Sequence, residues 1–208
     1  SNVEKVWVTP GNGGSTEKMG FGQLNCKEND KEGLIKACRD KNINLVVIGP
    51  EAPLALGLAD ELRANDINVF GPSKDGAQIE CSKAWAKELM QEEQIPTAKH
   101  WTAKTEEQAL GIVEQAQRPL VVKADGLAAG KGVVVPDSIE STKQAIHQLF
   151  SDPILRGHQI VLEELIEGPE VSIFALCDGK RMVILPPAQD HKRLKEGDQG
   201  PNTGGMGA

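Results

Sequence analysis

Two lysines set among glycines and small residues are the sharpest chemical feature of this sequence. Residues 121–133 read Val-Val-Lys-Ala-Asp-Gly-Leu-Ala-Ala-Gly-Lys-Gly-Val, with lysines at 123 and 131. Glycines bare their backbone N–H groups and form an anion-binding concavity, and Lys131, between Gly130 and Gly132, adds a mobile positive charge. The Walker A template needs four residues between its glycines and a Ser or Thr after its lysine. Here three residues separate Gly126 from Gly130, and Gly132 follows Lys131. The hydroxyl that would hold magnesium is missing, and the flanks read strand–loop–strand. The segment is not a P-loop, yet it suits a phosphate. Lys123 alternates onto one face of its strand, where it can place an ammonium in the same cavity. The competing reading is a hairpin tip with a solvated lysine.

Two further segments carry charge in suggestive order. Val161-Leu162-Glu163-Glu164-Leu165-Ile166-Glu167-Gly168-Pro169-Glu170 runs a strand into a short linker. Backbone groups at such a linker can read the amino edge of a purine, and a following carboxylate can accept ribose hydroxyls. Taken alone, the four glutamates equally describe a solvated acidic turn. Gln189-Asp190-His191-Lys192-Arg193 is followed by Gly197-Asp198 and by Gly200-Pro201-Asn202-Thr203-Gly204-Gly205-Met206-Gly207. Acid, imidazole and two cations in a row can position a carboxylate or phosphate, or form a charged surface loop. His191 has no visible partner as a base. No serine sits in a G-x-S-x-G elbow, which leaves a Ser-His-Asp arrangement unsupported. Neither Cys nor His shows zinc-ligand spacing.

The elements that must position these residues follow from the apolar pattern. Val3–Val8 is a β-type run stopped by Pro10-Gly11-Asn12-Gly13-Gly14. Lys31–Lys41 is helical, with Leu34, Ile35 and Cys38 on one face. Leu45–Ile48 is a continuous apolar run, as for a strand buried on both faces. A helix over Pro53–Ala64 and a strand over Ile67–Phe70 complete an alternation that implies right-handed βαβ units and an open parallel sheet. The turns Gly49–Pro53 and Gly71–Ser73 then sit beyond the carboxyl ends of strands, where such sheets bind ligands; as plain helix-opening turns they would carry proline near the first helical position. Helices are expected over Lys83–Glu93, Thr105–Gln117 and Ser141–Phe150, and strands over Leu120–Ala124, Val133–Val135 and Ile160–Glu163. Strands at Val171–Cys177 and Arg181–Leu185 join at Asp178-Gly179, a hairpin signal. The second half therefore reads α+β with antiparallel pairing. Asp190–Ala208 lacks periodicity and reads as a disordered tail or as a loop that needs a ligand and more protein around it.

Composition narrows the partners. The 208 residues include 39% hydrophobic and 25% charged, which excludes collagen, coiled coil and frank disorder. A net charge of -7 without a basic block disfavours binding nucleic acid through phosphates, and 3% aromatics with no tyrosine leave no base-stacking platform. No apolar run approaches the roughly 20 residues of a membrane span, and no signal peptide is visible. Four scattered cysteines without CxxC read as free thiols of a cytoplasmic protein. The start at Ser1-Asn2 without Met reads as a tag remnant or as a beginning partway into a longer protein.

In this order the segments resemble the phosphoribosylamine–glycine ligase (glycinamide ribonucleotide synthetase) family of ATP-grasp enzymes. The resemblance rests on Pro10-Gly11-Asn12, Gly49-Pro50-Glu51-Ala52-Pro53-Leu54, Phe70-Gly71-Pro72-Ser73, Ser82-Lys83 and Ile95-Pro96-Thr97-Ala98. It continues through Lys123–Val133, Glu163-Glu164-Leu165, Gly168-Pro169-Glu170 and Gln189–Gly207, covering essentially the whole chain. Pro186-Pro187-Ala188 is more similar to the version fused into multifunctional eukaryotic enzymes.

The resemblance implies an ATP-dependent ligation of glycine to 5-phosphoribosylamine through glycyl phosphate, in purine biosynthesis. It assigns Lys83, Lys123, Gly130, Lys131 and Gly132 to the ATP phosphates, Glu163, Glu164, Leu165 and Ile166 to adenine, and Glu170 to ribose. Glu51 and Pro53, with Asp190, His191, Lys192, Arg193, Asn202, Thr203 and Gly204, are similar to substrate-side segments. Lys123, Lys131, Asp190 and Arg193 would be catalytic. The fold implied is a parallel βα N-terminal domain, about 1–77, lacking its first strand and glycine-rich turn. A partial ATP-grasp core follows at 78–100 and 172–208, with an antiparallel lid at 101–171 between its parts. Magnesium would accompany ATP, with its ligands outside this chain. The competing functions are another ATP-grasp carboxylate–amine ligase and a non-catalytic nucleotide-binding fragment. The chain by itself is expected to bind nucleotide weakly at most and not to turn over.

Overall fold

Residues 3–15, 17–126, 132–153, 158–197 and 199–203 are described in a computed structural model, together with the backbone but not the side chains of 201 and 202. Two compact units divide between Ile95 and Pro96.

In the first unit, β1 (Val6–Val8) pairs in parallel with β2 (Phe21–Gln23), and β3 (Val46–Val47) in parallel with β4 (Val69–Phe70). The expected single parallel sheet is thus two two-stranded parallel sheets. Helix α1 (Lys31–Asp40) starts where the Asp30 carboxylate accepts from the Gly33 N–H at 3.0 Å, and it turns Leu34 and Cys38 inward, four residues apart. The helix expected over 53–64 is two, α2 (Glu51–Ala55) and α3 (Leu58–Ala64). Gly57 divides them at φ 78°, a left-handed conformation that other residues resist. Leu34, Cys38, Ile48, Leu54, Leu58, Ala59 and Leu62 form the core. The run Leu45–Ile48 is not buried on both faces: Leu45 and Val47 are 55% and 64% exposed. Among the described residues β3 has β4 as its one neighbour, so its outer face meets no layer. Short α4 (Gln78–Cys81), unforeseen in the sequence, leads into α5 (Lys83–Glu92), whose Ser82 cap accepts from the Trp85 N–H at 3.2 Å.

The second unit is built on a four-stranded antiparallel sheet of β5 (His100–Ala103), β6 (Val121–Ala124), β7 (Val133–Val134) and β8 (Ile160–Glu163), in the order β5-β8-β6-β7. Helices α6 (Glu106–Ala116) and α7 (Ile139–Ser151) pack on one face. Period-2 alternation sends Leu120, Val122, Ala124, Ile160 and Leu162 to that face, where they meet Ala109, Val113, Ala145, Ile146 and Leu149. The opposite face receives Val121, Lys123, Val161 and Glu163. Thr142 is fully buried in α7 and satisfied: its hydroxyl donates to the Ser138 carbonyl at 2.8 Å and accepts from the Leu120 N–H at 3.3 Å.

Beyond the sheet, β9 (Ala175–Cys177) and β10 (Met182–Ile184) form the expected hairpin. The Asp178 carboxylate closes its turn, accepting from the N–H groups of Lys180 at 2.8 Å and Arg181 at 2.6 Å, which holds that carboxyl below its ordinary range. Ser172 bridges Ala188 one register step out of line with the Ala175–Ile184 pair, because Pro186 and Pro187 have no N–H for the ladder. Within Asp190–Ala208, read from the sequence as a disordered tail or a loop that needs a ligand, the described residues form a second hairpin, β11 (Arg193–Lys195) with β12 (Gln199–Asn202).

Candidate functional site

On the sheet face turned away from the helices, Lys123 and Glu163 meet. Lys123 lies opposite Val161 and Glu163 opposite Val121, so the two are diagonal neighbours across β6 and β8. Lys123 Nζ is 2.9 Å from Glu163 Oε2; the lysine side chain is 27% exposed and the carboxylate 6%. A carboxylate so deeply withdrawn from water requires its cation and hydrogen bonds, and the partly exposed ammonium remains within reach of an incoming anion. The root of the glycine segment is fixed to the start of β8. The Asp125 N–H donates to the Gln159 carbonyl at 3.0 Å, and Gln159 Nε2 donates to Asp125 Oδ2 at 2.8 Å. Gly132, buried, accepts from the Ala124 N–H at 2.7 Å. Gly130 and Lys131 lie outside the described residues, as does Gly204.

The ladder ends at Glu163, and the chain crosses over through Glu164, Leu165 and Ile166. The Glu164 N–H donates to the Lys99 carbonyl at 3.0 Å, and its carboxylate accepts from Arg118 Nη2 at 2.5 Å. Leu165 and Ile166 follow with 51% and 70% exposure, a pair of apolar side chains open among the described residues.

Past the crossover a second cluster forms at the base of the β9–β10 hairpin. Lys192 Nζ is 2.8 Å from Glu170 Oε1 and 3.7 Å from Asp190 Oδ2. Its pKa is raised, first by the hydrogen bond to Glu170; burial opposes this, and the charges of Glu170 and Asp190 add to the rise. The Lys192 carbonyl accepts from both the N–H and the hydroxyl of Thr203, at 2.6 and 2.9 Å. Arg193 Nη1 donates to the Gly200 carbonyl at 2.9 Å, and Arg193 is in register with Asn202. The sequence-designated Glu170, Asp190, Lys192, Arg193, Asn202 and Thr203 thus come together, with His191 exposed beside them.

Lys83, Glu51 and Pro53 belong to the first unit. Lys83 opens α5, half-buried; Glu51 opens α2, exposed; Pro53 is buried within α2. Sequence reasoning overlooked Arg118 and Gln159. No local motif marks either, since their partners lie 46 and 34 residues away. Among the described residues no group of three or more His, Cys, Asp or Glu side chains could hold a metal ion, and no helix is long and apolar enough to cross a membrane.

Comparison with known proteins identifies the family. A phosphoribosylamine–glycine ligase of Nostoc sp. is 48% identical over 207 residues, which are 99% of this chain and 49% of that protein. The human trifunctional purine biosynthetic protein adenosine-3 is 46% identical over all of this chain and 21% of its own length. The crystal structure of a phosphoribosylamine–glycine ligase from Thermotoga maritima superposes with a TM-score of 0.79 at 36% identity, covering 97% of this chain and 48% of that one. The chain therefore spans about half the length of the single-function relatives it matches. Two family models account for every residue, one described as the phosphoribosylglycinamide synthetase N domain over 1–80, the other as its ATP-grasp (A) domain over 81–208. The chain belongs to the phosphoribosylglycinamide synthetase family.

Proposed function

We propose that the protein to which this chain belongs ligates glycine to 5-phosphoribosylamine at the expense of ATP, in purine biosynthesis and in the cytoplasm. A glycine carboxylate oxygen takes the γ-phosphoryl group, ADP leaves, and the amine attacks the activated carbonyl. The carbon–oxygen bond to phosphate then breaks, the amine loses a proton, and glycinamide ribonucleotide is left. Acyl phosphate formation replaces a poor leaving group by a good one, and the protein's part is positioning and charge neutralisation.

The observation that carries this reading is the convergence at the end of β8 of a cation, a buried carboxylate and an exposed crossover of backbone. Lys123 would meet the ATP phosphates while Glu163 holds its ammonium in place. The Glu164 N–H is spent on Lys99, so the purine edge is left to the carbonyl of Glu164 and to the groups of Leu165 and Ile166. Glu170 would accept the ribose hydroxyls, and Asp190, Lys192, Arg193, Asn202 and Thr203 would face the reacting acid and amine. Lys83 and Lys131 would add charge at the phosphates, and Glu51 would serve the substrate side. The domain reading follows: a βα domain at about 1–77, a partial core at 78–100 and 172–208, and a lid at 101–171. Among the described residues no group of three or more His, Cys, Asp or Glu side chains is placed to hold magnesium.

The test is isotopic. The full-length protein is given glycine labelled with 18O in its carboxylate, together with ATP and 5-phosphoribosylamine. One labelled oxygen should appear in the phosphate released; unlabelled phosphate, or no glycinamide ribonucleotide, overturns the reading. The 208-residue chain by itself should bind ATP weakly and form no product.

A further inference from the structure

We propose that Arg118 sets the purine preference of the nucleotide site by fixing the crossover that reads the base, an inference that rests on the adenine reading just given. Arg118 touches no nucleotide in this scheme; it acts through Glu164 and is a positioning residue.

The crossover begins at the point where both flanking strands release β8. Glu163 is opposite His100 on one side and Val121 on the other. One residue later, Glu164 is caught from both sides: its N–H by the Lys99 carbonyl just before β5, its carboxylate by the Arg118 guanidinium just before β6. A backbone tether fixes one point. A second tether on the side chain removes the rotation about it, and so fixes where the Glu164 carbonyl and the next N–H groups point.

Arg118 is itself held ready. Gln117 ends α6 in the left-handed region at φ 53°, which turns the chain sharply towards the sheet. Pro119 then restricts Arg118 to extended backbone. An arginine that is 51% exposed adds little to stability when it pairs with an ordinary surface acid. Here the acid's own backbone is the recognition element, so the pair shows in selectivity rather than in unfolding. The amino group and ring nitrogen at adenine's edge need an acceptor and a donor at fixed separation, and guanine presents the reverse pattern. A crossover that can rotate loses that discrimination.

The experiment is equilibrium titration of the full-length protein with ATP and with GTP, alongside Arg118→Ala, Arg118→Lys and Glu164→Gln. Arg118→Ala should weaken ATP about fivefold, equivalent to about 1 kcal/mol, and move GTP less than about twofold. Arg118→Lys, which keeps a charged donor, should recover most of the lost preference, and Glu164→Gln should reproduce the alanine result without touching the arginine. Equal weakening of both nucleotides, or an unchanged ratio in all three variants, overturns the inference and leaves the adenine reading standing. Absence of any ATP preference in the unsubstituted full-length protein overturns both. Should Arg118→Ala fail to fold, the other two variants decide the matter.

Discussion

Lys123 and Glu163 depend on each other unequally. The lysine can reach water; the carboxylate, 6% exposed, cannot. Lys123→Ala should therefore cost about 1–3 kcal/mol of stability in the second unit, and about 1–3 kcal/mol of ATP affinity if the charge-assisted phosphate contact is real. Adding Glu163→Gln should restore part of the stability and none of the affinity. Urea unfolding and ATP titration of the two variants separate these effects, and full stability in Lys123→Ala would show that Glu163 does not need its cation. Lys192 carries the opposite sign of pH behaviour from an acid. Its pKa is raised in the folded chain, so its tie to Glu170 is fully present below the ordinary lysine range and is lost as pH rises through the raised value. Following the Lys192 Cε resonance by NMR should give a midpoint above that of a free lysine, and Glu170→Gln should bring it down. The cysteines order themselves by burial: Cys177 is exposed, while burial first, and then Cys26, pushes the Cys38 thiol up.

At the scale of elements, Thr142 is the clearest point of failure. Its hydroxyl links the top of α7 to the N–H of Leu120 at the threshold of β6, and both groups are buried. Thr142→Val preserves the volume and orphans that N–H. A loss of about 1–3 kcal/mol is expected, read as a lowered thermal midpoint. An unchanged midpoint would mean that the Leu120 N–H finds another acceptor. Legibility in the sequence followed the same division between local and distant causes. Ile160–Glu163 was legible to the residue, because all four side chains are buried, Ile160 and Leu162 against helices α6 and α7. Leu45–Ile48 has the same apolar texture but, among the described residues, only one strand beside it, and Leu45 and Val47 stand exposed. Phe21–Gln23 and His100–Ala103 are short and mixed, and are strands only because a partner strand claims them. The candidate site was legible where it is written as glycine-rich or acidic strings. The pairings Lys123–Glu163 and Arg118–Glu164 join residues 40 and 46 positions apart, and only the sheet register specifies them.

For the molecule as a whole, the β9–β10 hairpin is conspicuous because it is apolar on both faces. Phe174, Leu176 and Val183 project to one side and Ile173, Met182 and Ile184 to the other, each 47–62% exposed. Among the described residues no layer covers these two strands, and such a pair is marginal in water, so the chain by itself should bind a hydrophobic dye and associate as its concentration rises. Val183→Lys should lower the dye signal and the scattered light, and no change would place the sticky surface elsewhere. The sheet of the second unit poses a different problem for the whole chain, since β5 must find β8 across some sixty residues and choose one alignment. Sliding β6 by a single position against β8 would turn Lys123 into the greasy layer under α6 and α7 and strand Glu163 without its counter-charge. The Lys123–Glu163 ion pair thus also proofreads the fold, rejecting misaligned strands by the penalty of a charge in oil.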